Sequence, residues 1–201
     1  MRRFRGLCIF LGVVMIISAI GLTGYNMWDD YRAAYESDLM LQYVFGAIDA
    51  EQPEIPDYIR DPYMDMPTVE MNGYLYIGIV SVPKLELMLP VMDSWSDARL
   101  KISPCRYTGS AYLNNMIIAA HNYDSHFGRL KNLEPGDTVT FTDMANNKFY
   151  YTVAETETLH RTAVEEMESG GWDLTLFTCT PGGRTRVTVR CHLAENQSNS
   201  N

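Results

Sequence analysis

The stretch that decides the fold is residues 175–190, which read TLFTCTPGGRTRVTVR. A short apolar run ends at Cys179, and a Pro-Gly-Gly turn then leads into a second run that opens with arginines. Two such runs separated by turn residues predict a pair of neighbouring β-strands. Alternation places Thr175, Phe177 and Cys179 on one face of the first strand. The thiol is therefore expected at a strand end beside a turn, where side chains are accessible.

Three arginines compete for the place beside this thiol. The valines of the second strand are expected to face the core, which puts Arg186 and Arg190 on the opposite face. Arg186 is the nearer of the two to the turn, whereas Arg190 is two pleats further away, or about 13 Å at the rise of a strand. Arg184 lies in the turn itself. We therefore predict that Arg186 is the arginine beside Cys179.

A thiolate beside a guanidinium can attack a carbonyl and stabilise the oxyanion that forms. The proton donor is predicted at His121, which follows a buried apolar strand. A structural histidine is the alternative there, as an inert core thiol is for Cys179. His126 is a rival in the following loop, and His160 and His192 have no comparable setting. If His121 lies near Cys179, the three side chains form an acyl-transfer site.

The remaining cysteines point to neither a metal site nor a disulfide framework. Zinc is disfavoured by spacing, because the chain has no Cys-x-x-Cys and no His-x-x-x-His pair. Outside the N-terminal apolar segment the cysteines are Cys105, Cys179 and Cys191, an odd number, so at least one thiol stays free or pairs between chains. Cys105 is expected to be a passive buried thiol, with a redox lock to Cys179 as the less favoured alternative.

The body of the chain is acidic. The formal net charge is −9, and three of the 16 basic residues, Arg2, Arg3 and Arg5, lie at the extreme N-terminus. Without them 13 basic residues face 25 acidic ones, a net charge of −12. Nucleic-acid binding needs a basic footprint, so the composition argues against a nucleic-acid partner.

The N-terminus predicts a membrane anchor. No charged residue occurs from Gly6 to Trp28, a length sufficient to span a bilayer. The arginines before this segment and the acidic residues after it place the N-terminus in the cytoplasm and the rest of the chain outside. A cleaved signal peptide is the alternative, disfavoured because no small-x-small cleavage site follows the apolar run. Residues 1–28 are therefore interpreted as a cytoplasmic stub and transmembrane signal anchor of a single-pass membrane protein.

Three further segments follow the anchor. Residues 29–68 are predicted to be a juxtamembrane helix, Asp29 to Glu51, and a segment whose four prolines exclude regular structure, either a stiff linker or an ordered surface segment. Residues 69–194 form a mainly β domain of about eight short strands, a closed barrel or a sandwich. Residues 195–201 are polar and expected to be disordered. The predicted strands are 74–82, 85–91, 115–120, 138–142, 148–154, 174–179 and 185–191, with helical turns at 129–132 and 161–168.

These motifs together resemble the sortases, membrane-anchored cysteine transpeptidases of Gram-positive cell surfaces. The family's Thr-Leu-x-Thr-Cys strand matches residues 175–179, and its arginine on the next strand matches Arg186. Ala120-His121-Asn122 matches the histidine motif, 77–85 the opening strand, and Tyr107-Thr108-Gly109-Ser110 the loop before the histidine strand. The resemblance covers roughly Tyr74 to Leu193. It implies an eight-stranded sortase-type β-barrel with short helices, and neither metal nor cofactor for the chemistry.

The resemblance also implies a mechanism and partners. Cys179 would attack the threonine carbonyl of an LPxTG-like sorting signal on a surface protein, with His121 protonating the leaving amine and Arg186 binding the oxyanion. Thr178 would help to position the substrate. An amine of a cell wall precursor or a pilin lysine would then resolve the thioacyl-enzyme. Two alternatives remain open: an inactive sortase-fold binding module, and a cysteine endopeptidase that uses water.

The subclass is not decided by the sequence, because class B-like, class C-like and class D-like features are mixed. Asp61-Pro62-Tyr63 resembles the lid of the pilin-assembling class C enzymes, and an ordinary proline turn is the favoured alternative. Specificity for the sorting motif is expected in loops between Thr152 and Gly171.

Overall fold

The computed structural model describes residues 2–48 and 55–194. The helices are α1 (Arg2–Ala47), α2 (Asp57–Arg60), α3 (Asp97–Leu100) and α4 (Val164–Glu168), with 3-10 turns at Pro83–Leu85, Ala111–Leu113 and Leu130–Asn132. The strands are β1 (Val69–Met71), β2 (Tyr74–Val82), β3 (Leu87–Met92), β4 (Cys105–Thr108), β5 (Met116–Ala120), β6 (Thr138–Asp143), β7 (Lys148–His160), β8 (Leu174–Cys179) and β9 (Thr185–Leu193).

Eight of the strands close into a barrel. The sheet order is β1-β2-β3-β4-β5-β8-β9-β7-β6, and β2 also pairs with β6, which joins the two sides of the sheet. β1 pairs only with the start of β2 and lies outside the closed ring. The predicted eight-stranded barrel with short helices is confirmed, and closure removes the exposed strand edges that an open sheet would have.

The barrel core follows from the alternation of the strands. Leu174 and Leu176 of β8 point inward with Val189 of β9, and all three are fully buried in the main core cluster. Phe177 points to the other face, where it joins a separate apolar cluster under α3 and α4. The predicted facing of β8 and β9 is therefore confirmed, and their outer face is the one that carries Cys179.

One prediction about β7 is wrong. The sequence predicts that this strand ends at Ala154 and that loops between Thr152 and Gly171 carry specificity, but β7 continues to His160 and pairs with β9 as far as Thr185. The threonines and Val153 in this stretch favour an extended backbone, and β9 supplies the pairing partner. Only 161–173, which includes α4, connects β7 to β8 as a non-strand segment.

The chain divides into two compact units, Met1–Arg32 and Ala33–Asn201. Within the described residues, one helix, Ile9–Ala47, is long and apolar enough to cross a membrane, by length and composition, and contains an 18-residue window with a mean hydropathy of 1.8. In the second unit, Met40 and Val44 of α1 are buried against barrel residues such as Tyr76. Phe45, the next residue of the helix, is 64% exposed.

The described part of the Pro-rich segment before the barrel fits an ordered surface segment better than a stiff linker, but it contains regular structure. Pro56 precedes a single helical turn, α2, so the prediction that regular structure is excluded is wrong at this point. A proline just before a first turn is compatible with a helix because that position needs no N–H donor. Tyr58 stacks on Tyr112 at 4.7 Å between ring centroids, and Met66 is 4% exposed in the main core. The end of the predicted juxtamembrane helix, Pro53 and the predicted tail 195–201 lie outside the described residues.

Candidate active site

Cys179 is the last residue of β8, and its side chain is exposed. The turn after it is closed by two hydrogen bonds, from the Thr180 amide to the Thr185 carbonyl at 2.9 Å and from the Gly183 amide to the Thr180 carbonyl at 2.8 Å. Gly182 and Gly183 adopt φ of 86° and 66°, a left-handed conformation that favours glycine. The turn therefore fixes the register that returns the chain beside the thiol.

Arg186 lies directly opposite Cys179 in the β8–β9 ladder. Side chains opposite each other in an antiparallel pair share a face, with Cβ atoms about 4.5–5.5 Å apart. The Arg186 guanidinium carbon is 5.3 Å from the centroid of the Phe177 ring. Its Nε is buried and has no hydrogen-bond partner among the described residues. The arginine beside the thiol thus keeps a donor uncommitted.

His121 leaves β5 at the level where Cys179 ends β8. These strands are parallel and their register ends with Ala120 opposite Thr178. The Thr178 hydroxyl donates to the Ala120 carbonyl at 2.9 Å, which ties the two strand ends together. The residues that follow on each strand, His121 and Cys179, are therefore neighbours across the same edge of the sheet.

The loop after His121 holds its imidazole in place. The ring stacks on Tyr123 with a centroid distance of 4.0 Å and an interplanar angle of 16°. Gly128 closes the loop, since a Cβ there would lie 2.7 Å from the carbonyl oxygens of Asn122 and Tyr123. The rival His126 is fully buried, so only His121 of the two is accessible to a substrate.

The other arginines have different surroundings. Arg184 is exposed in the turn. Arg190 is 2% exposed, and its Nε donates to Glu157 at 2.8 Å. The rest of its guanidinium bonds the Thr175 hydroxyl and the carbonyls of Glu166 and Met167, at 3.1, 2.7 and 2.7 Å. Arg190 therefore fastens α4 to the outer face of β8 and β9.

The other two cysteines of the barrel are protected. Cys105 and Cys191 are fully buried, and burial raises the pKa of each thiol to about 12. The Cys105 thiol points to the Ser103 carbonyl at 3.4 Å. These contacts favour the passive thiol over the redox lock. Of the three free cysteines among the described side chains, Cys179 alone is exposed.

An apolar floor adjoins the thiol on the outer face. It is built by Ile117, Ala119, Leu159, Met167 and Phe177, all buried. Tyr107 meets Phe177 edge to face, with centroids 5.4 Å apart, and Trp95 stacks on Tyr107 at 5.6 Å. An aromatic row thus runs from the exposed Trp95 to Arg186.

The segment that resembles a lid does not cover the thiol. Tyr63 is 84% exposed, and its amide donates to the Asp61 carboxylate in a local turn. Since Cys179 is exposed as well, the structure favours the ordinary proline turn at Asp61-Pro62-Tyr63.

The sequence did not predict three groups that pack around the candidate site: Phe177, Tyr123 and the Trp95–Tyr107 pair. Alternation did place Phe177 on the face of Cys179 and Arg186, and diagonal neighbours on paired strands lie within reach of an aromatic ring. That signal was sufficient to find the Phe177–Arg186 contact. The Trp95–Tyr107 pair joins a loop to β4, and no local pattern indicates it.

The fold and this site define a closed, mixed β-barrel that presents a thiol, an imidazole and an arginine at the ends of adjoining strands. The family model described as the sortase domain matches residues 80–194, and the chain belongs to the sortase family. A comparison with curated proteins finds no match.

Solved sortase structures share the fold. The sortase D5 transpeptidase of Clostridium perfringens is 20% identical, with a TM-score of 0.53, over 59% of this chain and 79% of that one. Sortase A of Corynebacterium diphtheriae is 17% identical, with a TM-score of 0.56, over 91% of this chain and 98% of that one. Sortase C1 of Streptococcus suis is 24% identical, with a TM-score of 0.55, over 80% and 98%. Similarity extends to three sortase classes, so the subclass stays undecided.

Proposed function

We propose that this sortase is an active cysteine transpeptidase that cleaves an LPxTG-like sorting signal and transfers the acyl part to an amine. The observation that carries the proposal is the pairing of β8 with a strand on each side, β9 and β5. Its last residue, Cys179, lies opposite Arg186 on β9 and beside the strand end that delivers His121 on β5. Nucleophile, acid–base group and oxyanion donor are the three parts that acyl transfer requires.

The first step forms the thioacyl-enzyme. The Cys179 thiolate attacks the threonine carbonyl, a C–S bond forms, and the carbonyl becomes an oxyanion. The Arg186 guanidinium, whose Nε has no other partner within the described chain, donates to that oxyanion. Collapse breaks the C–N bond, and the His121 imidazolium gives its proton to the leaving amine.

The second step releases the product. An acceptor amine attacks the thioester carbonyl and gives a proton to His121, now neutral. The C–S bond breaks and the Cys179 thiolate is restored. One amide is exchanged for another without change of oxidation state. The acceptor is an amine of a cell wall precursor or a pilin lysine, the two acceptors that the family resemblance implies.

Thr178 is proposed to act through the strands it joins. Its side chain is 2% exposed, and its hydroxyl is already bonded to the Ala120 carbonyl. Substrate contact by that hydroxyl would need the bond to break. Its contribution to substrate binding is therefore to hold the His121 strand level with Cys179.

We further propose that residues 1–28 anchor the chain in the cell membrane, that 29–68 connect the anchor to the barrel, and that 69–194 act outside the cytoplasm. The support is the one apolar helix of sufficient length near the N-terminus of the described chain, together with the arginines that precede it. Surface proteins emerge at that side of the membrane, and their sorting signals would meet Cys179 there.

The test is a panel of sorting-motif peptides incubated with the full chain in detergent, with triglycine, a lysine-bearing acceptor or no amine. We expect amine-dependent ligated products, which disappear in Cys179→Ala. Cleavage that no amine diverts would favour the endopeptidase. Binding without cleavage of any peptide would favour the inactive binding module.

A further inference from the structure

The surroundings of Arg186 are unusual for an arginine that must keep one orientation. On the outer face its cross-strand neighbours are Cys179 on β8 and Leu159 on β7. Neither is a carboxylate, and its buried Nε has no partner among the described residues. A carboxylate would fix the guanidinium but would also compete for its donors, since Arg–carboxylate pairs are strong and often bidentate. Something else must hold this side chain.

Phe177 is the group in contact with it. The guanidinium carbon lies 5.3 Å from the ring centroid, within the range in which an aromatic face attracts a cation. Phe177 is 6% exposed, so the attraction acts with little screening by water. Unlike a carboxylate, the face of a phenyl ring has no oxygen atoms that would accept hydrogen bonds from the guanidinium. It restrains the cation while leaving the N–H groups able to point at a substrate.

The Phe177 ring is itself held. Tyr107 packs against it at 83° between ring planes, and Trp95 stacks on Tyr107 at 29°. Met167 and Ala119 belong to the same buried cluster. The ring plane is therefore fixed by neighbours on β4, β5 and α4, and the position of Arg186 is in turn defined relative to Cys179.

We propose that Phe177 is a positioning residue: its ring face holds the Arg186 guanidinium beside Cys179 in place of a carboxylate. This inference rests on the proposed function for its effect on turnover, but the contact also sets the charge beside the thiol, which is measurable without turnover. Phe177 occupies the variable position of the Thr-Leu-x-Thr-Cys strand, so the proposal assigns this chain its own device for fixing the arginine.

The test replaces Phe177 with mono-, di- and trifluorophenylalanine in the full chain. Ring fluorination weakens the attraction for a cation while nearly keeping the shape of the side chain, so packing is preserved. The matched control is the same series at Phe141, which is fully buried in the barrel interior. Phe177→Leu removes the ring around which the outer cluster packs. Its results are therefore interpreted only together with those of the near-isosteric fluorinated variants. Melting temperature is recorded for each protein.

Two readouts are taken. The first is kcat/KM for transpeptidation, expected to fall stepwise with fluorination at Phe177 to about a tenth, the size of a desolvated cation–π contact. The second is the ratio of alkylation rates of Cys179 by iodoacetate and iodoacetamide, measured by peptide mapping. A guanidinium beside the thiol favours the anionic reagent, so the ratio is expected to fall about threefold as Arg186 loses its position. In an Arg186→Gln background the ratio should be low and insensitive to fluorination.

The outcomes separate the two proposals. An unchanged ratio and unchanged kcat/KM across the Phe177 series would overturn the positioning role. Equal losses in the Phe141 series, or losses that follow melting temperature, would also overturn it. If the wild-type chain shows no turnover but its alkylation ratio responds to Phe177 fluorination alone, the positioning role stands and the proposed function fails.

Discussion

Arg186 and Arg190 lie toward opposite ends of the β8–β9 ladder, and the hydrogen bonding of their guanidinium groups differs. At one end Arg186 faces Cys179, rests on Phe177 and keeps a buried Nε without a partner in the described structure. Four residues on, Arg190 faces Thr175 and is 2% exposed, with its guanidinium hydrogen-bonded to Glu157 and to two carbonyls of α4. We call the Arg186 end open, because one guanidinium nitrogen there has no hydrogen-bond partner among the described residues. We call the Arg190 end saturated, because all three guanidinium nitrogens there donate hydrogen bonds.

Under the proposed function, this difference assigns catalysis to one end of the ladder and stability to the other. A buried cation whose donors are satisfied rigidifies its surroundings but has nothing left to offer a substrate. An arginine with open donors can stabilise developing charge, but needs a support that does not compete for them. The saturated end also holds α4 against the face on which the open end operates. Substitutions at the two ends should therefore have separable consequences.

The largest effect is expected at the open end. Arg186→Ala should lower kcat by about 10²–10³, the typical loss for one oxyanion donor, with little change in melting temperature. Steady-state transpeptidation and calorimetry on the same preparations measure both. Arg184→Ala is the matched control, because Arg184 is exposed in the turn and should leave activity near the wild-type value. Retained activity in Arg186→Ala with loss in Arg184→Ala would reverse the assignment.

At the saturated end the effect should be on stability. Arg190→Met keeps much of the length of the side chain but leaves the Glu157 carboxylate and the carbonyls of α4 without their donor. The Glu157 side chain is 34% exposed and can be hydrated, so the cost comes mainly from the carbonyls that lose their donor. We expect a loss of about 1–3 kcal/mol, to be read from urea unfolding of the full chain. Glu157→Gln keeps a side-chain oxygen that can accept from the Arg190 Nε and leaves the other guanidinium hydrogen bonds in place, so it should cost less. An Arg190→Met protein as stable as wild type would contradict the stabilising role assigned to Arg190.

The thiols give a third contrast. At pH 8 iodoacetamide should modify Cys179 and spare Cys105 and Cys191, whose pKa values burial raises to about 12. Because the folded pKa is raised, the stability these thiols contribute is fully present below about pH 9, the ordinary thiol value, and is lost as the pH rises toward about 12. The stability gap between wild type and Cys105→Ala should therefore narrow above pH 9, as urea unfolding across pH measures. Equal native alkylation of all three thiols would contradict the burial.

The smallest effect is expected from the segment that resembles a lid. Tyr63→Ala should change the alkylation rate of Cys179 by less than about twofold, because Tyr63 is 84% exposed and does not shield the open end. The rate is measured by quenching the alkylation at a series of times and mapping the modified peptides. An increase of about tenfold or more would mean that Tyr63 occludes the thiol in solution.

Much of this arrangement is readable from the sequence because it is local. Alternation along β8 and β9 predicted which residues share a face with Cys179 and which arginine lies nearest to it. Two features were not readable. The extension of β7 to His160 depends on pairing with β9, which is distant in sequence. The Arg190 contacts need the position of α4, and residues between strands do not show where they will pack.

The central claim is that Cys179 becomes acylated with the help of His121 and Arg186. Its most direct test is mass spectrometry of the full chain quenched in acid after single turnover with a sorting-motif peptide. We predict a thioacyl adduct on the Cys179 peptide that is released by hydroxylamine, forms far more slowly in His121→Ala and Arg186→Ala, and is absent in Cys179→Ala. An adduct at another residue, or wild-type adduct rates in both the His121→Ala and Arg186→Ala proteins, would contradict the account.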